Sequence, residues 1–104
     1  MNDSTWTTVD QLKQWLDDKD GVAPETARLM RILKLQEELG EVAEAVMGAM
    51  GTNPRKGASH TWDDVESEVC DVILSGMVLL ATLTPDAGKK FDERLSIIAE
   101  RSLA

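Results

Sequence analysis

The chain has 104 residues, 42% of them hydrophobic and 29% charged, a composition that fits one globular domain over 1–104 and excludes a disordered chain. Its net charge of −8 argues against a nucleic-acid polymer as partner, because phosphate contacts need clustered Lys and Arg. A single cysteine, Cys70, excludes an internal disulfide, fits a reducing compartment and reads as a small filler in a buried helix.

No segment alternates with period two, and helical spacing dominates throughout. The first helix is expected over about Thr8 to Asp18, with Val9, Leu12, Trp15 and Leu16 on one face and Thr7 or Thr8 as N-cap. Asp17-Asp18-Lys19-Asp20-Gly21 ends it. A second helix starts near Pro24, a residue suited to a first turn, and runs to about Met50. Residues 51–60 form a loop marked by Gly51, Pro54 and Gly57. Thr61 can cap a third helix, in which Asp63 and Asp64 complement the helix dipole and the apolar pattern runs to about Leu83. After a turn at residues 84–88, a fourth helix carries Phe91, Leu95, Ile98 and Ala99 at helical spacing.

Four helices with mostly short connections predict an all-α, four-helix bundle. The third helix carries Val72, Ile73, Leu74, Met77, Val78, Leu79 and Leu80 around more than one stripe. A monomer of this size cannot easily hide all of them, so self-association as a homo-oligomer, dimer or tetramer, is expected. The run from Val72 to Leu83 is too short to cross a bilayer, which takes about 20 residues. No basic stretch followed by an apolar one opens the chain, so no signal peptide is read. Together these predict a soluble cytoplasmic protein without a membrane partner.

The chemistry lies in two acidic clusters, Glu37-Glu38-x-x-Glu41 and Glu68-x-x-Asp71. An i,i+3 pair lies on one face of a helix, and two packed helices can bring both pairs to one point. Such a group of like charges makes sense with a cation between them. The alternative, a solvated acidic face, fits poorly with the apolar residues around both clusters, since acids are rarely buried unpaired. Hard oxygen donors suit Mg²⁺, Mn²⁺ or Ca²⁺. With only His60 and Cys70, the chain lacks the ligands of a di-iron bundle or a structural zinc site. Mg²⁺ held by carboxylates points towards phosphate chemistry.

Leu33-Lys34-Leu35-Gln36-Glu37-Glu38-Leu39-Gly40-Glu41-Val42-Ala43-Glu44-Ala45 resembles the first motif of the MazG-like all-α nucleotide pyrophosphohydrolases, and Glu66-Ser67-Glu68-Val69-Cys70-Asp71-Val72-Ile73 resembles the second. The resemblance covers about Arg28 to Leu83. It implies Mg²⁺-dependent hydrolysis of a nucleoside triphosphate, such as a deoxynucleotide or a non-standard one, to the monophosphate and pyrophosphate in nucleotide-pool cleaning, by a dimer or larger assembly. Mn²⁺ is the alternative ion. Carried over by position, Glu38, Glu41, Glu68 and Asp71 would hold the metal. Glu37 would be a further ligand or the base that deprotonates the attacking water.

Three cations are candidates for substrate phosphate: Lys34, one turn before Glu38, and Arg55 and Lys56 in the loop. Each also reads as an ordinary surface residue. Lys89, Lys90, Arg94 and Arg101 on or near the last helix could close the site from a neighbouring subunit. Trp6, Trp15 and Trp62 could stack on a base or belong to the core. Val46-Met47-Gly48-Ala49 stands where some deoxycytidine-triphosphate-hydrolysing relatives carry an aromatic residue. Two other readings stay open: a phosphoribosyl-ATP pyrophosphohydrolase-like enzyme, and a non-catalytic helical module that binds metal for structure.

Overall fold

The structure, a computed structural model, describes residues 3–103. They form four α-helices and no named strand: α1 (Asp3–Asp20), α2 (Pro24–Met50), α3 (Trp62–Leu83) and α4 (Ala87–Leu103). The all-α, four-helix expectation holds. Among the described residues no single helix is long and apolar enough to cross a membrane.

Helix α1 starts five residues earlier than expected, because Thr7 and Thr8 do not cap it. Their hydroxyls instead donate back to the carbonyls of Asp3 (2.8 Å) and Ser4 (3.1 Å), one turn earlier. The other boundaries fall where the turn chemistry puts them. Pro24 opens α2, and Gly51 closes it in the left-handed conformation (φ 69°), where a side chain would be strained. Thr61 caps α3 reciprocally: its hydroxyl accepts from the Asp64 amide (3.2 Å), while the Asp64 carboxylate accepts from the Thr61 amide (2.9 Å).

Helices α2 and α3 lie antiparallel, since Arg31 near the start of α2 meets Thr82 at the end of α3. At the opposite end, Gly48 is the contact with the loop. A Cβ there would stand 2.3 Å from His60 Nδ1 and 2.6 Å from Ser59 Oγ, so glycine lets the Ser59–His60 pair rest on the helix. Helix α1 packs on α3, and the main apolar cluster joins Trp6 and Val9 of α1, Met77, Val78 and Ala81 of α3, and Ala87 of α4.

Helix α4 does not run alongside the others. The chain turns by 116° between α3 and α4. Only the first turns of α4 are anchored, by buried Ala87, by Gly88 close against Trp6, and by Phe91, whose ring lies 6.1 Å from that of Trp6. Residues 92–98 are exposed, Ile97 and Ile98 among them. The apolar surplus is wider than expected. Met77 and Val78 of α3 are core residues while Val69, Ile73, Leu74 and Leu83 of the same helix are exposed, and α2 also exposes Leu29, Ile32, Leu33, Leu39 and Met47. Cys70, expected to be buried, is exposed. Of the three tryptophans, Trp6 is core, while Trp15 and Trp62 are more than half exposed.

Gly40 and Gly76 sit inside helices, and a Cβ on either would meet nothing within 4 Å. Each costs its helix roughly 0.5–1 kcal/mol relative to alanine with no packing return inside the chain.

Candidate metal centre

The site is built on the inner face of α2. Ala27, Arg31, Glu38, Ala45 and Gly48 are the buried residues of that helix, spaced by three, four or seven, as one face against α3 requires. Two of the five are charged.

Glu38 is only 9% exposed, and Glu41 lies one turn further along, half-buried. Glu68 comes from α3 in the opposite direction. One carboxylate oxygen from each of the three can be chosen so that all lie within 4.8 Å of one another. The cluster is under-neutralised. Lys34 Nζ lies 3.1 Å from Glu38 Oε1 and 3.2 Å from Glu37 Oε1, but it is half exposed and shared between the two. The other oxygen of Glu38 and one oxygen of Glu68 are buried and make no hydrogen bond. The negative charge of Glu38, followed by desolvation and the charge of Glu68, raises the pKa of Glu41.

A buried carboxylate oxygen without a donor is expensive, and three carboxylates this close repel. Either a proton or a cation relieves both costs. Carboxylate oxygens are hard donors, and two of the three side chains have an oxygen with no other partner, so the donor chemistry fits a hard divalent cation such as Mg²⁺, Mn²⁺ or Ca²⁺.

The other sequence-derived site residues lie around this centre. Asp71 is exposed on α3 and stands outside the three-carboxylate cluster. Glu37 is exposed and paired to Lys34. Lys56 pairs with Glu44 Oε1 at 2.9 Å, which ties the loop to the turn of α2 after Glu41. Arg55 is exposed, and its backbone amide donates to Asn53 Oδ1. Beside the cluster, Leu12, Trp15, Leu16, Met30 and Leu33 line a cleft of about 550 Å³ that Lys34 and Glu37 also border.

Sequence reasoning passed over Arg31. It is 5% exposed and reaches Asp17 Oδ1 (2.8 Å), Asp20 Oδ2 (3.4 Å) and the Thr82 hydroxyl (3.0 Å), locking the end of α1 to both long helices. The available signal was its place two turns before Glu38, on the same face of an apolar helix. Comparison with known protein families, curated proteins and solved structures finds no match for this chain.

Proposed function

We propose that the protein is a Mg²⁺-dependent nucleoside triphosphate pyrophosphohydrolase of the MazG-like type, acting as a homo-oligomer. The observation that carries this reading is the gathering of Glu38, Glu41 and Glu68 from two helices, with buried oxygens of Glu38 and Glu68 left without partners. These three residues would hold the metal, with Asp71 joining through a side-chain movement or a bridging water. The bound ion would supply charge neutralisation of the triphosphate and Lewis-acid polarisation at phosphorus.

The remaining roles fall to the chain itself. Lys34 already bridges Glu37 and Glu38, and its ammonium can turn to a phosphate oxygen without leaving the site. Glu37 accepts the proton of the water that attacks the α-phosphorus. The bond from that phosphorus to the bridging oxygen breaks, and pyrophosphate leaves with the electron pair. The apolar cleft next to Lys34 and Glu37 offers walls for a nucleobase, and Trp15, 55% exposed, offers a stacking face. Lys56 is released from Glu44 to meet pyrophosphate.

The test is a panel of ribo- and deoxynucleoside triphosphates and phosphoribosyl-ATP incubated with Mg²⁺, with products identified by mass. Monophosphate plus pyrophosphate from a triphosphate is the expected result. Diphosphate plus phosphate, or no turnover across the panel, would overturn the assignment.

A further inference from the structure

A second cleft lies between α1 and α4, apart from the metal centre. Helix α4 is exposed over residues 92–98, and the wedge between it and α1 encloses about 650 Å³, a size within the range of natural ligand sites. Its walls carry mostly one sign of charge. Asp3 and Asp10 come from α1, Asp92 and Glu93 from α4, and Lys89 is the one cation among the lining residues. All five are exposed, and none forms a salt bridge among the described residues. Asp17, Glu37, Glu38 and Glu44, by contrast, each have a Lys or Arg partner.

Surface acids are common without a ligand, and the floor of this cleft is what sets it apart. Trp6 lines the cleft and is 8% exposed, yet its indole Nε1 is buried and donates to nothing. A Cβ at position 88 would stand 3.0 Å from Trp6 Cδ1 and 3.3 Å from Nε1. The edge that bears the donor is therefore turned to the α4 wall of the cleft, at the one lining residue without a side chain. A buried indole N–H normally has an acceptor, and leaving it without one costs about 1–3 kcal/mol.

The two observations call for a ligand that brings positive charge to the carboxylates and an acceptor to the indole. A metal ion or a polyamine brings charge and no acceptor. A phosphate brings acceptors and is repelled by four acids. A basic peptide brings both, cations on its side chains and carbonyls on its backbone. Asp3 and Asp10 stand seven residues apart, about 10 Å along α1, which is the rise of three residues of extended peptide. We propose that the α1–α4 cleft binds a short basic peptide segment, its cations on Asp3, Asp10, Asp92 and Glu93 and a backbone carbonyl accepting from Trp6 Nε1 beside Gly88. The inference does not rest on the enzymatic reading and is tested without nucleotide.

The experiment is nuclear magnetic resonance of the ¹⁵N-labelled full chain, with the peptide acetyl-Arg-Ala-Ala-Arg-amide as probe. The Trp6 indole resonance is assigned by elimination, using Trp15→Phe and Trp62→Phe at the two exposed tryptophans. It should move downfield with saturable binding. Asp92→Asn and Glu93→Gln should each raise the dissociation constant about threefold, and together about tenfold, as the loss of one exposed ion pair per change requires. Glu100→Gln, at an exposed acid of α4 outside the cleft, should leave it unchanged. A Trp6 resonance that stays in place at millimolar peptide overturns the proposal. So does equal binding of spermidine or of acetyl-Glu-Ala-Ala-Glu-amide, or a Glu100→Gln effect as large as that of Asp92→Asn.

Discussion

Arg31 and Glu38 lie two turns apart, about 10 Å along the inner face of α2, and both are buried charges. Their surroundings differ. Arg31 meets two carboxylates and a hydroxyl, and those carboxylates keep contact with water. Glu38 meets one half-exposed, shared lysine and two further carboxylates, and it keeps an oxygen with no donor. One centre is closed in charge, with only the Arg31 Nε left without an acceptor, and ties three helices together. The other holds surplus negative charge against repulsion, and surplus buried charge is where a ligand is expected.

The comparison breaks first at Arg31. Arg31→Met should cost about 3 kcal/mol, the low end for a broken buried pair, because Asp17 and Asp20 retain solvent on losing their partner. Urea unfolding would measure it. A loss below about 1 kcal/mol, the range of an exposed pair, would mean that the closed centre does not hold α1 in place. Glu38→Gln should do the reverse: metal-free stability is kept or rises as repulsion falls, while Mg²⁺-dependent pyrophosphate release drops about a hundredfold, as the loss of roughly 3 kcal/mol of transition-state stabilisation requires. Near-normal turnover in that variant would move the chemistry elsewhere.

A smaller effect sharpens the contrast. Mg²⁺ or Mn²⁺ at a hundred times its dissociation constant should stabilise the wild type by about 2.7 kcal/mol, with EDTA reversing the rise in melting temperature. Glu41→Gln should blunt that response, and Arg31→Met should leave it in place.

The smallest effect is with pH, and the two centres have opposite signs. Hydrogen bonding from Lys13, with Arg31 beside it, holds the Asp17 carboxyl below its ordinary value of 3.8. Its contribution is complete above that value and is lost as pH falls through the lower folded one. Glu41 is raised above 4.5, chiefly by Glu38, so the folded chain holds that proton more tightly than the unfolded chain. Metal-free stability should therefore fall as pH rises from 4.5 through the raised value, and Glu41→Gln should remove that fall. Urea midpoints measured in EDTA across pH 3–7 would show both limbs.

Turn chemistry made most of the fold legible. Pro24, Gly51 and the Thr61–Asp64 capping box act within a few residues, and the helices they bound stand where the sequence placed them. Thr7 and Thr8 misled because a threonine hydroxyl serves equally as a cap or as a donor to the preceding turn, and the residues after them suit either role. The direction of α4 was illegible, since it depends on how Trp6 meets Gly88 and Phe91 across the fold. At the site, i,i+3 spacing was enough to align Glu38 with Glu41 on one face. Recruiting Glu68 and leaving Asp71 exposed depends on how α3 is rotated against α2, which spacing leaves undetermined. Arg31 was overlooked because its partners, Asp17 and Asp20, come from the end of a different helix.

The central claim is that Glu38, Glu41 and Glu68 form a divalent-cation site, and Mn²⁺ binding to the metal-free protein tests it most directly. Free Mn²⁺, followed by its electron paramagnetic resonance signal during titration, should fall with saturable binding in the wild type and in Arg31→Met where that variant is folded. Binding should be lost in Glu38→Gln and weakened in Glu41→Gln and Glu68→Gln. Binding that is absent from the wild type at millimolar Mn²⁺, or equally strong when Glu38 carries no charge, would contradict the account.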